Sequence, residues 1–347
     1  MGTLSIGILA HNESGIIGRT IASLADQSIL IPSYAASLGI GEIEIVVVPN
    51  GCTDDTDTVS AEALAKLPAH VATTVHSLSE AGKSNAWNTF VHAIARAETT
   101  VFVLMDADIE FASSDVLERL VRPLDRSPTT KVTTDRAIKK FADGARLGPL
   151  ERLSRRVSAQ QGGQVGICGQ LYCARAEALR QIWLPYGLPV EDGFLAAMLV
   201  TNGFTQEPDD SAIVSVDGAA HFYEPVTSVT GFVRHEARII VGSVINAWLF
   251  TLLWRVGTEG HSGAYIRDRN ADDPHWVESV CAQERDGHGT WVIPSTFLVW
   301  RLAPLRRRPW GHIAKRAPLA IAATLASLPA VVRANAILRR PNSRLHW

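Results

Sequence analysis

The 347-residue chain has only four cysteines, Cys52, Cys168, Cys173 and Cys281, and none of them shows the spacing of a metal-binding pair. That scarcity excludes a disulfide-stapled scaffold and predicts free thiols in a reducing compartment. Long apolar runs are also missing. Ile239–Trp254 and Ala317–Val332 each give 16 residues without a charge, and the second contains Pro318 and Pro329. A spanning helix needs about 20 apolar residues, so both runs fit an interfacial or core helix better than a span. The opening MGTLSIGILAHNE has no basic region and no cleavage site, so no secretory leader is expected. Gly82-Lys83-Ser84 lacks the glycine five residues earlier that a phosphate-cradling Walker loop requires, since Ser77 stands there. His261, His275 and His288 lie without HExxH or similar spacing, which argues against a metal role for them. No internal repeat is present.

One further absence is informative. Residues 301–347 contain ten Arg or Lys and no Asp or Glu, a local charge of +10. The remaining 300 residues hold 23 Lys or Arg against 35 Asp or Glu, or −12, although the whole chain is only −2. A basic tail on an acidic body is an interaction device. Together with the apolar run beside it, the tail points to an anionic membrane surface, with Arg306, Arg307, Arg308, Lys315 and Arg316 nearest the run. The tail has no recognisable nucleic-acid-binding domain and the body is acidic, so nucleic acid is not an expected partner.

What is present is a globular chain, 46% hydrophobic and 20% charged. Leu4–Ala10, Glu42–Val48, Val71–His76 and Val101–Glu110 read as buried strands. Helical patterns from about Ser14 to Ala25, Thr53 to Leu67 and Lys83 to Ala97 separate them. Asn12 or Ser14 is suited to cap the first of these helices. Four alternations in 110 residues predict an α/β fold, a doubly wound, mostly parallel sheet with helices on both faces. Further along, helices are expected over Ser114–Leu124, Pro149–Gln161, Arg175–Ile182 and Glu191–Asn202. Strands are expected over Thr130–Thr134, Gly166–Ala174, Ala212–Val216 and Ala219–Tyr223. A long apolar helix follows from Val229 to Trp254, with a break allowed at Gly242. The polar stretch Glu259–Gly289 is expected to be irregular. Residues 1–226 form the expected catalytic unit, and residues 227–347 a mostly helical, basic extension.

The chemistry concentrates where the central strand ends, in Asp106-Ala107-Asp108. Open α/β sheets bind ligands at the carboxyl ends of their strands. Residues two apart in an extended arc face the same way, so both carboxylates can meet one hard cation such as Mg²⁺ or Mn²⁺. A solvated turn is the plainer reading of the same residues. Asn50-Gly51-Cys52-Thr53-Asp54 ends the second strand at the same edge. It reads either as a helix-opening turn or as a loop for a base or ribose. Lys83 at a helix amino terminus is placed to meet phosphate. Glu191 and Asp192 are either a dipole-stabilised helix start or, if the fold brings them to the metal edge, a proton acceptor at Asp192. Arg234 and Arg238 share one helix face with His235 between them, and Arg238 suits a diphosphate clamp.

In this order the motifs resemble those of a family 2 glycosyltransferase with the GT-A fold, over about residues 4–240. They are His11-Asn12-Glu13, the NGCTDDT loop, AGKSNAWN, Asp106 and Asp108, CGQLYCAR with Gly169 and Arg175 in it, Glu191-Asp192, and an RHEAR segment at the position of QxxRW. The resemblance implies a nucleoside-diphosphate-sugar donor held by His11, Asn12, Glu13, Asn50, Asp54, Lys83, Asp106, Gly169, Glu191, Arg234, His235 and Arg238. It implies Mg²⁺ or Mn²⁺ on Asp106 and Asp108. Asp192 would deprotonate an acceptor hydroxyl for inverting attack at the anomeric carbon. Asn50 stands where many relatives carry a carboxylate, which removes the usual argument for uridine. The loss of Gln and Trp from QxxRW argues for single addition rather than processive synthesis. The acceptor is then expected to be lipid-linked or membrane-proximal, with the enzyme peripheral at the cytoplasmic face. A sugar-nucleotide nucleotidyltransferase would open with a glycine-rich loop, and His11-Asn12-Glu13 is not one. A non-catalytic nucleotide-sugar-binding scaffold is the remaining alternative.

Overall fold

The computed structural model describes residues 1–140, 166–226, 228–299, 302 and 310–340. Its frame is β1 (Gly2–Ala10), which is buried at nearly every position. Leu4, Ile6 and Ile8 enter one core and Leu9 the other, so helices cover both faces of the strand. Parallel neighbours on either side are β2 (Ile40–Pro49) and β4 (Thr99–Asp106), and β3 (Ala72–Val75) follows β2. With β5 (Ile109–Phe111), β6 (Val132–Lys139), β7 (Leu171–Arg175) and β8 (Ile213–Tyr223), the sheet order is β3-β2-β1-β4-β7-β6-β8-β5. The second half is mixed. β7 is antiparallel to both β4 and β6, β8 is parallel to β6, and β5 is antiparallel to β8. The expected α/β class with a mostly parallel sheet holds.

On one face lie α1 (Ile17–Ala25), α2 (Pro32–Ser37), α3 (Thr56–Leu64) and, further along, α5 (Val116–Arg126). On the other lie α4 (Lys83–Thr89, extended by a π turn over Phe90–Ile94), α6 (Ala176–Leu179), α7 (Glu191–Val200) and α8 (Val229–Val256). That second core also takes Ile266 of α9 (Ser262–Asp272) and Trp276 of α10 (Trp276–Asp286). The short α11 (Thr296–Val299) precedes α12 (Trp310–Arg339), which contributes Ala330, Val331, Ala334 and Leu338 to the same core.

Several expectations are corrected. The helix over 229–254 is unbroken at Gly242. A Cβ there would come within 2.5–3.0 Å of Val190, so this glycine permits close packing rather than a kink. Glu259–Gly289 is helical, as α9 and α10. Its polar composition hides the few anchors that fix it, among them Trp276, whose indole N–H donates to Asn270 Oδ1 at 2.9 Å. The two late strands are one, β8. The strand expected from Gly166 begins only at Leu171, which leaves Gly169 in a loop. Neither Asn12 nor Ser14 caps α1, which starts after Ile16 without a side-chain cap. The helix expected over Pro149–Gln161 lies outside the described residues.

Among the described residues, two helices are long and apolar enough to cross a membrane by length and composition alone. They are Val229–Val256 (mean hydropathy 1.7) and Ala320–Arg339 (1.6). The first buries one side, including Ile240, Val241, Val244, Ile245, Leu249 and Leu253, in the second core. The second leaves Ile321, Leu325, Leu328 and Val332 exposed at helical spacing.

Candidate active site

The carboxyl ends of β1, β2 and β4 form one edge, and the loops leaving them build the site. Asp106 is the last residue of β4, and its N–H donates to Gln170 O at 2.9 Å. Asp108 follows in the turn into β5. The two carboxylates feel each other and both act on Glu13. Burial first, then Asp108, Asp106 and Asp54, push Glu13 up to about 7. Burial likewise pushes Asp106 up to about 6 against the pull of Lys83, with Asp108 and Glu191 adding to the rise. Glu13, Asp106 and Asp108 offer carboxylate oxygens, the ligand type that Mg²⁺ and Mn²⁺ favour.

Lys83 is the hub. From the first residue of α4, its ammonium lies 2.7 Å from Asp106 Oδ1 and 2.8 Å from Glu191 Oε1, and it donates to Gly169 O at 3.2 Å. Its side chain is 33% exposed, against 23% for Asp106 and 13% for Glu191, so the ion triad is only partly open to water. Burial opposes the charge of Lys83, but the two carboxylates hold its pKa well above the lysine range. Burial also works to raise Glu191, yet the nearby Lys83 charge and hydrogen bond keep it below the usual glutamate value.

Glu191 and Asp192 open α7, where the helix dipole favours acids. Asp192 Oδ1 accepts from Gly193 N at 2.7 Å. Burial, then Glu191, raise its carboxyl, while Lys83 and Arg238 oppose the rise. Gly169 faces it so closely that an added Cβ would lie 2.9 Å from Asp192 Cβ. Lys83, Asp106, Gly169, Glu191 and Asp192 line one cleft together with Trp87 and Tyr172. Those two aromatics were not legible as site residues. Trp87 occupies an apolar position on α4, and only the fold brings its indole N–H to donate to Tyr172 Oη at 2.6 Å.

The other expected residues fall into two groups. Arg238, about a third of the way along α8, is near enough for its charge to pull against protonation of both Glu191 and Asp192. Arg234 and His235 are exposed in the first turns of α8. The β1 and β2 loops are instead tied to each other. Asn50 is 4% exposed, donates to Ala10 O at 2.7 Å and accepts from Gly82 N at 3.0 Å. Its amide is thus engaged by backbone at both ends and does not present a free edge to a base. Asp54 accepts from Ser14 N and Thr56 N, both at 3.1 Å, and these bonds together with the Thr56 hydroxyl keep it strongly acidic. His11 Nδ1 lies 2.7 Å from Asn50 O. Asn12, held at φ 56°, accepts from Thr53 N at 2.7 Å. In the polar stretch near the extension, His261 caps α9 by accepting from Gly263 N.

The sequence matches the glycosyl transferase family 2 model over residues 5–198. Among curated proteins no sequence match is found. Among solved structures, the chain is similar to the mannosyltransferase PcManGT from Pyrobaculum calidifontis, solved with GDP-Man and Mn²⁺. That likeness has a TM-score of 0.55 at 17% identity over 96% of this chain and 86% of the other, and it is a likeness of fold. Glucosyl-3-phosphoglycerate synthase from Mycobacterium tuberculosis, solved with phosphoglyceric acid, aligns over 72% of this chain and 80% of its own. Its identity is 19% and its TM-score 0.47. The matched segment takes in β1 to β4, the Asp106–Asp108 turn and Glu191-Asp192, which is more than half of the chain, and the chain therefore belongs to glycosyl transferase family 2.

Proposed function

We propose that the protein is a metal-dependent inverting glycosyltransferase that moves one sugar from a nucleoside-diphosphate sugar to an acceptor hydroxyl. The observation that carries this reading is the meeting of Asp106, Lys83, Glu191 and Asp192 in one cleft, within reach of the charge of Arg238. Asp106 and Asp108, with Glu13 beside them, are the residues that would hold Mg²⁺ or Mn²⁺. When bound, such an ion neutralises charge on the leaving diphosphate. Arg238 offers a bidentate guanidinium to the same phosphates. Asp192, raised by burial, takes the proton of the acceptor hydroxyl as its oxygen attacks the anomeric carbon opposite the departing nucleoside diphosphate. Lys83 and Glu191 fix the start of α7 so that this carboxylate points into the cleft. His11, Asn12, Asn50 and Asp54 shape the loops around the nucleoside rather than reading its base. Residues 1–226 are the catalytic unit of this reading and residues 227–347 its extension.

Asp192→Asn tests it. Donor binding, read as thermal stabilisation by the nucleoside-diphosphate sugar with Mn²⁺, should persist while transfer falls by about 10²–10⁴. Undiminished turnover would leave a binding scaffold as the better reading. The product's anomeric configuration, read by NMR, tests inversion.

The acceptor is lipid-linked or membrane-proximal in this reading, and the enzyme sits on the cytoplasmic face of the membrane. Supporting it are the exposed Ile321, Leu325, Leu328 and Val332 on α12 and the acid-free segment 301–347. Flotation with anionic liposomes should be lost in Ile321→Glu/Leu325→Glu, and retention by that variant counts against membrane docking.

A further inference from the structure

β6, β8 and the loop before β7 bring Asp135, Cys168 and His221 together beside the cleft. A carboxylate oxygen, a thiol sulfur and an imidazole nitrogen, one from each residue, all lie within 4.8 Å of one another. Asp135 is 5% exposed and His221 fully buried. None of the three has a part in the sugar transfer described above.

The polar atoms of this group do not close among themselves. Asp135 Oδ1 is buried without a hydrogen-bond partner, while Oδ2 lies 2.8 Å from His221 Nδ1. On the other side of the ring, His221 Nε2 lies 3.4 Å from the amide oxygen of Gln170. Both of these oxygens accept, so an imidazole with one ring proton satisfies only one of them. Whichever nitrogen carries that proton, Asp135 Oδ1 stays buried and unpartnered. A metal ion answers both features at once. It takes Nδ1, an Asp135 oxygen and the Cys168 sulfur, and the Nε2–H bond to Gln170 becomes the outer-shell contact that fixes the ring.

We propose that Asp135, Cys168 and His221 form a binding site for Zn²⁺, separate from the Asp106–Asp108 cation. One nitrogen, one oxygen and one sulfur donor suit a borderline-soft ion, whereas Mg²⁺ and Mn²⁺ favour all-oxygen sets. A tetrahedral zinc site with bonds of about 2.0–2.3 Å spaces its donors about 3.3–3.7 Å apart, so the 2.8 Å contact of Asp135 with His221 opens slightly and the Cys168 sulfur moves by no more than about 1 Å. Cys168 lies on a loop rather than a strand and can supply that movement. Burial pushes its thiol up to about 12, so metal uptake releases the proton of the thiol to solvent. The bound ion would staple the loop that carries Gly169 to β6 and β8.

The test uses the full chain loaded with Zn²⁺, freed of excess and counted by elemental mass spectrometry. Affinity is read by competition with a chromophoric chelator. Wild type and Asp108→Asn should each hold one equivalent. Cys168→Ser and His221→Gln should bind at least about 100-fold more weakly, and Gln170→Ala about 10–100-fold more weakly. Cobalt substitution should give a thiolate-to-metal charge-transfer band in wild type that Cys168→Ser lacks. Should His221→Gln fail to fold, Cys168→Ser carries the result, with its metal-free melting temperature as control. Any of three results overturns the proposal. They are a wild type that retains no zinc, a Cys168→Ser variant with unchanged affinity, and loss of the zinc in Asp108→Asn.

Discussion

Replacing Lys83 by methionine keeps the length and apolar stem of the side chain and removes only its charge. In the native protein that charge stands between Asp106 and Glu191, 2.7 Å and 2.8 Å away. Removing one member of a buried ion cluster destabilises by about 3–5 kcal/mol, because the partners remain desolvated and unpaired. Lys83 is one-third exposed, so the lower end applies, about 3 kcal/mol. With an unfolding entropy of about 2.1 cal/mol/K per residue over the chain, that is a fall in melting temperature of roughly 4 °C. Calorimetry at neutral pH without divalent metal reads it. The double variant Lys83→Met/Glu191→Gln should recover part of the loss, since one of the two stranded carboxylates becomes a neutral amide. If Lys83→Met melts within a degree of wild type, the ammonium is not what holds the start of α7 to the end of β4.

Gly169→Ala places a methyl 2.9 Å from Asp192 Cβ, and a shift of about 1 Å at the base should lower kcat by about 10²-fold with little change in donor KM. Equal kcat values would show that Asp192 is not the group the loop positions. Gly242→Ala meets Val190 at 2.5–3.0 Å and should destabilise by about 1–3 kcal/mol, read by urea unfolding. A neutral effect would mean that α8 can slide on α7. For pH, His92 and His261, both partly buried, have folded pKa values lowered, chiefly by burial, so the fold prefers them neutral. Their contribution is complete above about 6.5, the unfolded value, and is lost as pH falls from there through the lowered folded values. His92→Gln, which removes the ring stacked 4.0 Å from Trp183, should flatten part of that acid slope in melting temperature. A slope unchanged in this variant would assign the effect to His261.

The amino-acid sequence determined the alternation of buried strands and helices as far as Asp108, because apolar runs and turn residues are local properties. It also determined that two carboxylates sit at the end of the central strand. Loop-borne and charge-hub roles were not local. Asn50 and Asp54 look ligand-facing in sequence, yet Asn50 is buried and accepts from Gly82 N, and Asp54, though exposed, is engaged by Ser14 N. Lys83 looks like a phosphate contact, and only the approach of α7 to β4 makes it the counter-ion of two acids. The polar stretch after α8 looked irregular, because an indole buried on a distant core leaves no periodic trace. Cys168 has no metal-ligand spacing at all, since its neighbours Asp135 and His221 come from strands 33 residues before and 53 after it. What pattern cannot convey is which side chains meet across a mixed sheet. That depends on β7 returning antiparallel between β4 and β6, a pairing set by burial on both faces and by no short stretch of the chain.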